Sequence, residues 1–411
     1  MIPLFWGLLL LEATYGAYLS VWPLWIERLG APIAIVGLVL GVGGFLRLFV
    51  IGPSAAIADR FGYRRTIIVA RTITITGLIV AAFATHWTQL LIVVAAISIG
   101  ELVFPLVQSI VASEAGDQRM RSFALVFNVG PSIALAAAPL IGALLVGFFG
   151  MRSAFLLGAV FSLLSLTQLA KISEPETDSS NAATTATSYL AATRLQSVRL
   201  IGGLLLITVF SLSLGVAFIP TFLKDVRGFE PAGITALGSL PAIGSAMLGL
   251  AVARLMWLQR RPFIACAISV GLMAIVLLVI RESSFLPLLM VAFVLRGGLF
   301  STWAMLISAL GEYAPASLRS RAFAILEMIG GLAFSLGPII AGLLYSQRKT
   351  LPFEVAIILA LMLVPVYILA QRRANRMPKA DDGHRTTSNA VAPAESDQPR
   401  VDSSTIAEVN L

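Results

Sequence analysis

The sequence predicts an all-α membrane protein, twelve transmembrane helices arranged as two six-helix pseudo-symmetric bundles. Three observations carry that expectation. Of 411 residues, 58% are hydrophobic and 12% charged, whereas an ordinary soluble domain carries about 25% charged residues. Apolar runs near the roughly 20 residues needed to cross hydrocarbon follow one another along the chain. Two stretches half a chain apart, RMRSFALVFNVG from Arg119 and RSRAFAILEMIG from Arg319, read almost alike. A soluble fold would have to hide this apolar material in one core, and cores stop growing at a few hundred residues.

The runs fall at 4–26, 33–57, 66–85, 88–112, 123–149, 152–171, 199–223, 231–256, 262–281, 284–309, 323–345 and 351–371. The first lacks a basic flank and a small-residue cleavage site ahead of it, and reads as a retained helix. Spans one to six make an N-terminal bundle, 1–171. The segment ISEPETDSSNAATTATSYLAATRLQS is polar and rich in small residues, so 172–198 reads as a flexible cytoplasmic linker. Spans seven to twelve make the C-terminal bundle, 199–373. Residues 374–411 are too polar to bury a core and read as a disordered cytoplasmic tail. The single cysteine, Cys266, lies in an apolar run, so no disulfide forms within one chain.

Charge orients the bundle. With the N-terminus in the cytoplasm, nineteen of the 29 lysines and arginines fall in cytoplasmic loops and tail, and seven in outer loops. The remaining three, Arg47, Arg71 and Arg296, lie within spans. Membrane proteins collect Lys and Arg on the cytoplasmic side. The expectation is a multi-pass protein of a bacterial cytoplasmic membrane with both termini inside. The same bias absorbs the net charge of +8, so no nucleic-acid partner is expected.

The paired stretches precede spans five and eleven, corresponding helices of the two halves. Their likeness continues downstream: APLIG holds Pro139 and Gly142, and GPIIAG holds Gly337 and Pro338. These four residues are candidate hinges of two gating helices. Upstream, Glu114 closes span four and Glu312 closes span ten. Together the matches indicate an internal duplication. Parallel repeats of six spans are a transporter architecture, with the substrate site at the interface between repeats.

Between spans two and three the chain reads AAIADRFGYRR, from Ala55 to Arg65. This resembles the loop signature of the major facilitator superfamily, Gly-x-x-x-Asp-Arg-x-Gly-x-Arg. Asp59, Arg60, Gly62 and Arg64 match, Ala55 stands at the leading glycine and Arg65 extends the basic run. The resemblance covers the chain apart from its tail. Gly62 permits a tight turn with positive φ. Asp59, at a helix end, suits the positive end of a neighbouring helix dipole. Arg60, Arg64 and Arg65 can pair with Glu114. The resemblance implies the fold of that superfamily, and a cluster that latches the halves on the cytoplasmic side when the protein opens outward. A worn copy, GLAVARLMWLQRR from Gly249, has Ala253 at the aspartate position. Its Arg254, Arg260 and Arg261 remain to pair with Glu312, which predicts an asymmetric gate.

Ionisable residues deep in a membrane are expensive and mark function. Glu12 lies in span one, Arg47 in span two, Glu101 in span four and Arg296 in span ten; Arg71 and Glu327 lie nearer the cytoplasmic ends of spans three and eleven. The resemblance implies that spans one, four, seven and ten line a central cavity, so Glu12, Glu101 and Arg296 fall on lining helices. Glu101 and Arg296 sit at similar depth in corresponding helices. Low dielectric disfavours a carboxylate's ionised form and a nearby arginine favours it. A carboxylate whose arginine contact changes during transport can therefore carry a proton. Glu12 and Glu101 are the candidates for proton coupling or cation binding, with Arg296 or Arg47 modulating them; a structural Glu–Arg pair welding helices is the alternative.

Nothing in the chain supports an enzyme, a metal site or a cofactor: it has no phosphate-binding glycine loop, no cluster of metal ligands and no nucleophile–base set. The expected function is secondary active transport, proton-coupled efflux of small hydrophobic or cationic molecules by rocker-switch alternating access. The alternatives are a proton-coupled importer of a small organic anion or sugar, and a lipid or glycolipid flippase. The expected partners are a small-molecule substrate, protons and the lipid bilayer, around a monomeric chain.

Overall fold

A computed structural model describes residues 2–51, 53–114, 125–172, 191–259, 261–313, 315 and 318–374. Arg119, Arg121 and Arg260, most of the linker and the tail from 375 lie outside the described residues. The described chain is helical throughout its apolar runs. Ten of its helices are long and apolar enough to cross a membrane. The pair Ile2–Tyr18 and Trp22–Arg28, bent by 45°, makes span one. Span ten is Leu286–Leu295 continued by Gly298–Tyr313. That gives the twelve expected spans in two bundles of six. In a medium without water every backbone N–H and C=O must be satisfied within the segment, which is why each run folds as helix.

Differences from the sequence expectation lie at the ends of spans. Span two stops at Ile51, short of 57. Pro53 follows, and the residue before a proline is disfavoured in helical geometry. A short helix, Ser54–Phe61, then leads through Gly62 into span three, Tyr63–Phe83. Span seven begins at Gln196 rather than 199, and span twelve runs to Ala374.

The four spans expected to line a cavity are all interrupted. Span one breaks between Tyr18 and Trp22, and span seven between Val216 and Ile219. Each second piece carries a proline in its first turn, Pro23 or Pro220, where a missing N–H leaves no hydrogen bond unmade. Span four breaks at Glu101–Leu102, between Gln89–Gly100 and Val103–Glu114. Span ten breaks at Arg296–Gly297. The two deep charges thus occupy equivalent breaks in equivalent helices.

The apolar core is organised by depth. At the end away from the chain termini, one cluster contains Tyr18, Trp22, Trp25 and Phe155 of the first half with Phe218, Phe222, Phe293 and Phe353 of the second. At the end bearing the termini, Leu4, Leu8, Ile67, Val107 and Leu169 pack within the first half alone. There Val198, Phe263, Leu306, Leu326 and Tyr367 pack within the second half alone. The halves share a core at the far end and keep separate cores at the terminal end.

Spans two and eleven close the far end through small residues. A Cβ on Gly37 would lie 2.3 Å from the Pro338 carbonyl oxygen, and one on Gly41 would lie 2.3 Å from that of Ser335. A Cβ on Gly342 would meet Gly37 Cα at 3.0 Å. Glycine lets two backbones approach where any side chain would hold them apart. The seam runs down to Gly331, where an added Cβ would meet Leu48 at 3.1 Å.

Candidate functional site

A charged cluster sits inside the first half and reaches the seam. Its centre is Glu101, carried on the break in span four. Tyr15 of span one donates its hydroxyl to Glu101 Oε1 at 2.7 Å. Arg47 of span two places Nε 3.7 Å from Glu101 Oε2. The Glu101 side chain is 14% exposed and that of Arg47 43%, so the cluster opens on the Arg47 side. Ser98, one turn before Glu101, donates to the Gly43 carbonyl at 3.3 Å and ties span four to span two. Glu12, one turn before Tyr15, lies within electrostatic reach of both Glu101 and Arg47. Among the described residues it makes no hydrogen bond or ion pair.

Arg47 also faces the second half. Glu327 of span eleven lies within its electrostatic reach and accepts a hydrogen bond from Trp303 of span ten. Glu327 stands one helical turn from Gly331, where the glycine seam ends, so an arginine of one half has carboxylates of both halves for neighbours.

Behind Glu101 lies Arg71 of span three, with no solvent exposure. It is the ninth residue of a 21-residue helix, on the half nearer the chain termini, as the sequence reading set it. Its Nη2 donates to Ser162 Oγ of span six at 2.7 Å, while among the described residues Nε and Nη1 have no hydrogen-bond partner. Tyr15, Tyr18 and Glu101 surround it electrostatically. Sequence reasoning gave it no role. The available signal was in span six, where Ser162 and Ser165 are both buried and three residues apart, so they share a helix face. Ser165 donates to the Gly7 carbonyl of span one at 2.6 Å.

The second half places different groups at the equivalent depth. Arg296, on the break in span ten, lies over the Phe293 ring at 5.1 Å. Among the described residues it makes no ion pair, and Glu101 takes Arg47 rather than Arg296. The interior of this half is held by neutral groups. Thr208 and Tyr367 share a hydrogen bond of 2.7 Å, and the Gln371 side chain accepts from Phe263 N at 3.1 Å.

At the terminal end, Gly62 has φ 88°, a conformation that side chains resist. The turn it makes gathers Asp59, Arg60, Arg64 and Arg65. Tyr63 donates to Asp59 at 3.4 Å, and Arg60 lies over Phe61 at 5.3 Å. The expected partner side chains, Glu114 and Glu312, lie outside the described residues, as does Arg260. Arg254 is exposed, and Arg261 lies over Trp257 at 5.6 Å. Pro139 and Pro338 sit inside continuous helices, Gly130–Phe149 and Arg319–Gln347. Their neighbouring glycines are packing positions. A Cβ on Gly142 would lie 2.8 Å from the Ala17 carbonyl oxygen, and one on Gly337 would lie 1.9 Å from Ser213 Oγ. Span five therefore presses on span one as span eleven presses on span seven.

The far end carries an ion pair between the halves, which the sequence reading did not anticipate. Lys224, ending span seven, places Nζ 2.9 Å from Glu27 of span one and 3.5 Å from Asp225. Lys349 lies 3.7 Å from the same Asp225.

Twelve helices in two bundles, with charges at the helix breaks and between the halves, define a membrane carrier. The chain belongs to the Major Facilitator Superfamily, whose profile matches residues 4–301 and 258–396. Two Mycobacterium tuberculosis proteins described as uncharacterized MFS-type transporters are each 31% identical over 169 residues; the match spans 40% of this chain and 40% of theirs. The fold resembles that of the nucleoside transporter NupG, with a TM-score of 0.73 at 17% identity over 92% of this chain and 99% of that one. It resembles a POT peptide transporter, with a TM-score of 0.71 at 17% identity over 92% and 95% of the two chains. The human organic anion transporter MFSD10 gives a TM-score of 0.64 at 18% identity over 89% and 98%. Membership assigns the chain to membrane transport rather than catalysis.

Proposed function

We propose that this protein is a proton-coupled secondary transporter that exports small hydrophobic or cationic molecules by rocker-switch alternating access. The observation that carries the reading is the placement of Arg47. It pairs with Glu101 of its own half and faces Glu327 of the other. A rocking motion that separates spans two and eleven changes the charges around Arg47, and with them the neighbours of Glu101 and Glu12. Proton uptake and release then follow the motion. Substrate binds between the halves at the level of Glu12, Glu101 and Arg296, and aromatic groups such as Trp303 suit a flat or cationic ligand. The moving units are 1–171 and 199–373, joined by the 172–198 linker. The Asp59–Arg65 turn with Glu114, and Arg254, Arg260 and Arg261 with Glu312, form the terminal-end latches. Both termini lie in the cytoplasm, and a monomer suffices.

A second reading rests on Arg296. A guanidinium over a ring and without an ion pair suits a substrate carboxylate, which would make the protein an importer of a small organic anion. Purified protein in liposomes, with an imposed pH gradient and a panel of hydrophobic cations, organic anions, nucleosides and peptides, separates the two. The proposal expects cation movement driven by the gradient, lost in Glu12→Gln and Glu101→Gln. Gradient-driven rates unchanged in both variants would overturn the coupling assignment. Accumulation of anions, abolished by Arg296→Gln, would select the second reading.

A further inference from the structure

We propose that Glu327, Trp303 and Phe334 form a binding subsite for an aromatic organic cation, seated on Gly330 in the second half. This rests on the cation-exporting reading above and deepens it: recognition lies on spans ten and eleven, apart from the carboxylates of spans one and four. Glu327, Gly330 and Phe334 follow one another at intervals of three and four residues in span eleven, so they share one face of that helix. Trp303 of span ten lies across that face. An added Cβ on Gly330 would fall against Cη2, Cζ3 and Cζ2 of the indole, inside van der Waals contact. The six-membered ring of the indole thus fills the space where any other residue would place its side chain. From that seat Trp303 meets Phe334, with ring centroids 5.8 Å apart and planes at 34°. One turn before the seat, its N–H donates to Glu327.

The arrangement leaves its binding groups available. Glu327 is exposed, Trp303 is half-buried and Phe334 is 39% exposed. The indole supplies one N–H and no acceptor, whereas a carboxylate has about four lone-pair sites, so most of the Glu327 acceptor capacity stays open. Among the described residues Glu327 makes no ion pair. Arg47 gives its own ion pair to Glu101, at 3.7 Å. A carboxylate within a membrane span is expensive unless a cation or water meets it, and aromatic faces attract a cation within about 6 Å of the ring centroid. Together the three side chains favour positive charge on a ring-bearing molecule and disfavour an anion of the same shape. Gly330 is the specificity-determining position, because its missing side chain lets the indole stand between Phe334 and Glu327.

The test is equilibrium binding of radiolabelled tetraphenylphosphonium to the purified full chain without any gradient, with tetraphenylborate as the anion of the same shape. The wild type is expected to bind the phosphonium in preference to the borate. Glu327→Gln should weaken phosphonium binding about tenfold or more, and Glu327→Asp, which keeps the charge, should retain part of the affinity. Trp303→Leu should weaken it about two- to 30-fold. Gly330→Ala keeps all three binding side chains and should reproduce the effect of Trp303→Leu, because its methyl group unseats the indole. Melting temperatures without the probe establish that each variant folds. Phosphonium affinity unchanged in Glu327→Gln would overturn the proposal, as would a wild type that does not bind the phosphonium. Wild-type affinity in Gly330→Ala would overturn it too, and decides the matter if Glu327→Gln does not fold. A loss confined to Glu12→Gln and Glu101→Gln would place the cation in the first half instead. Binding as expected in a protein whose liposomes are indifferent to a pH gradient would defeat the proton-coupled reading and leave the subsite standing. Gradient-driven cation export with full affinity in Glu327→Gln would do the reverse.

Discussion

The two ends of the bundle are built differently. At the far end the halves share one core, a seam of glycines and an ion pair between Glu27 and Lys224. At the terminal end each half keeps a core of its own. The structure is closed at one end through contacts that belong to neither half, so those contacts must be able to part. Contacts inside a half have no such freedom. The same chemistry, a glycine against a backbone carbonyl, should therefore have different consequences in the two settings.

The largest effect is expected inside a half. A Cβ on Gly244 of span eight would lie 1.6 Å from the Val294 carbonyl oxygen of span ten. Both helices belong to the second bundle, and the obstacle is backbone, which cannot step aside as a side chain can. Overpacking a core typically costs about 1–3 kcal/mol, and this site should reach at least the top of that range. Gly244→Val should lower the melting temperature of the detergent-solubilised protein sharply or abolish its folded yield. An unchanged melting temperature would mean that the second bundle gives way internally, and the contrast between the two settings would fail.

Gly41→Val, across the seam, should behave otherwise. The clash with Ser335 exists only while the far end is closed, so the halves can relieve it by moving apart as bodies. About 1–3 kcal/mol applied to the closed state alone corresponds to a shift of about five- to 150-fold in the balance of states. The measurement is the distance between spin labels at Thr85 and Phe285, exposed residues at the far end of the two halves. The variant should fold, with the long-distance population raised. A distance distribution like that of the wild type, in a folded variant, would show that the seam does not govern closure.

Much of this architecture was legible in the sequence. Span number, the duplication and the equivalent depths of Glu101 and Arg296 follow from hydropathy and repetition, because the bilayer imposes length and helix on each run. Arg296 and Glu101 do share equivalent helix breaks, but the partner of Glu101 did not follow from symmetry. It is Arg47, on a helix outside the four expected to line the cavity. Arg71 was given no role because periodicity gives no sign of which neighbour's serine faces an arginine. The pairing of Glu27 with Lys224 escaped the sequence reading for a related reason. They lie 197 positions apart in sequence, and only the closure of the far end brings them together.

That ion pair is the weakest part of the closure and sets the smallest predicted effect. Both partners remain partly exposed, with side-chain exposures of 25% for Glu27 and 37% for Lys224. Exposed pairs contribute about 0.2–1 kcal/mol and weaken as salt rises. Lys224 would keep Asp225 at 3.5 Å if Glu27 were neutralised, so Glu27→Gln leaves no bare charge. The same spin-label pair should report a shift toward the open far end smaller than for Gly41→Val, and smaller still in high salt. Glu27→Lys should exceed Glu27→Gln, because it sets two cations against each other, and Glu27→Lys/Lys224→Glu should recover part of the loss. A shift in Glu27→Gln as large as that in Gly41→Val would reverse the ranking. Charge, rather than the close approach of glycines, would then hold the far end shut.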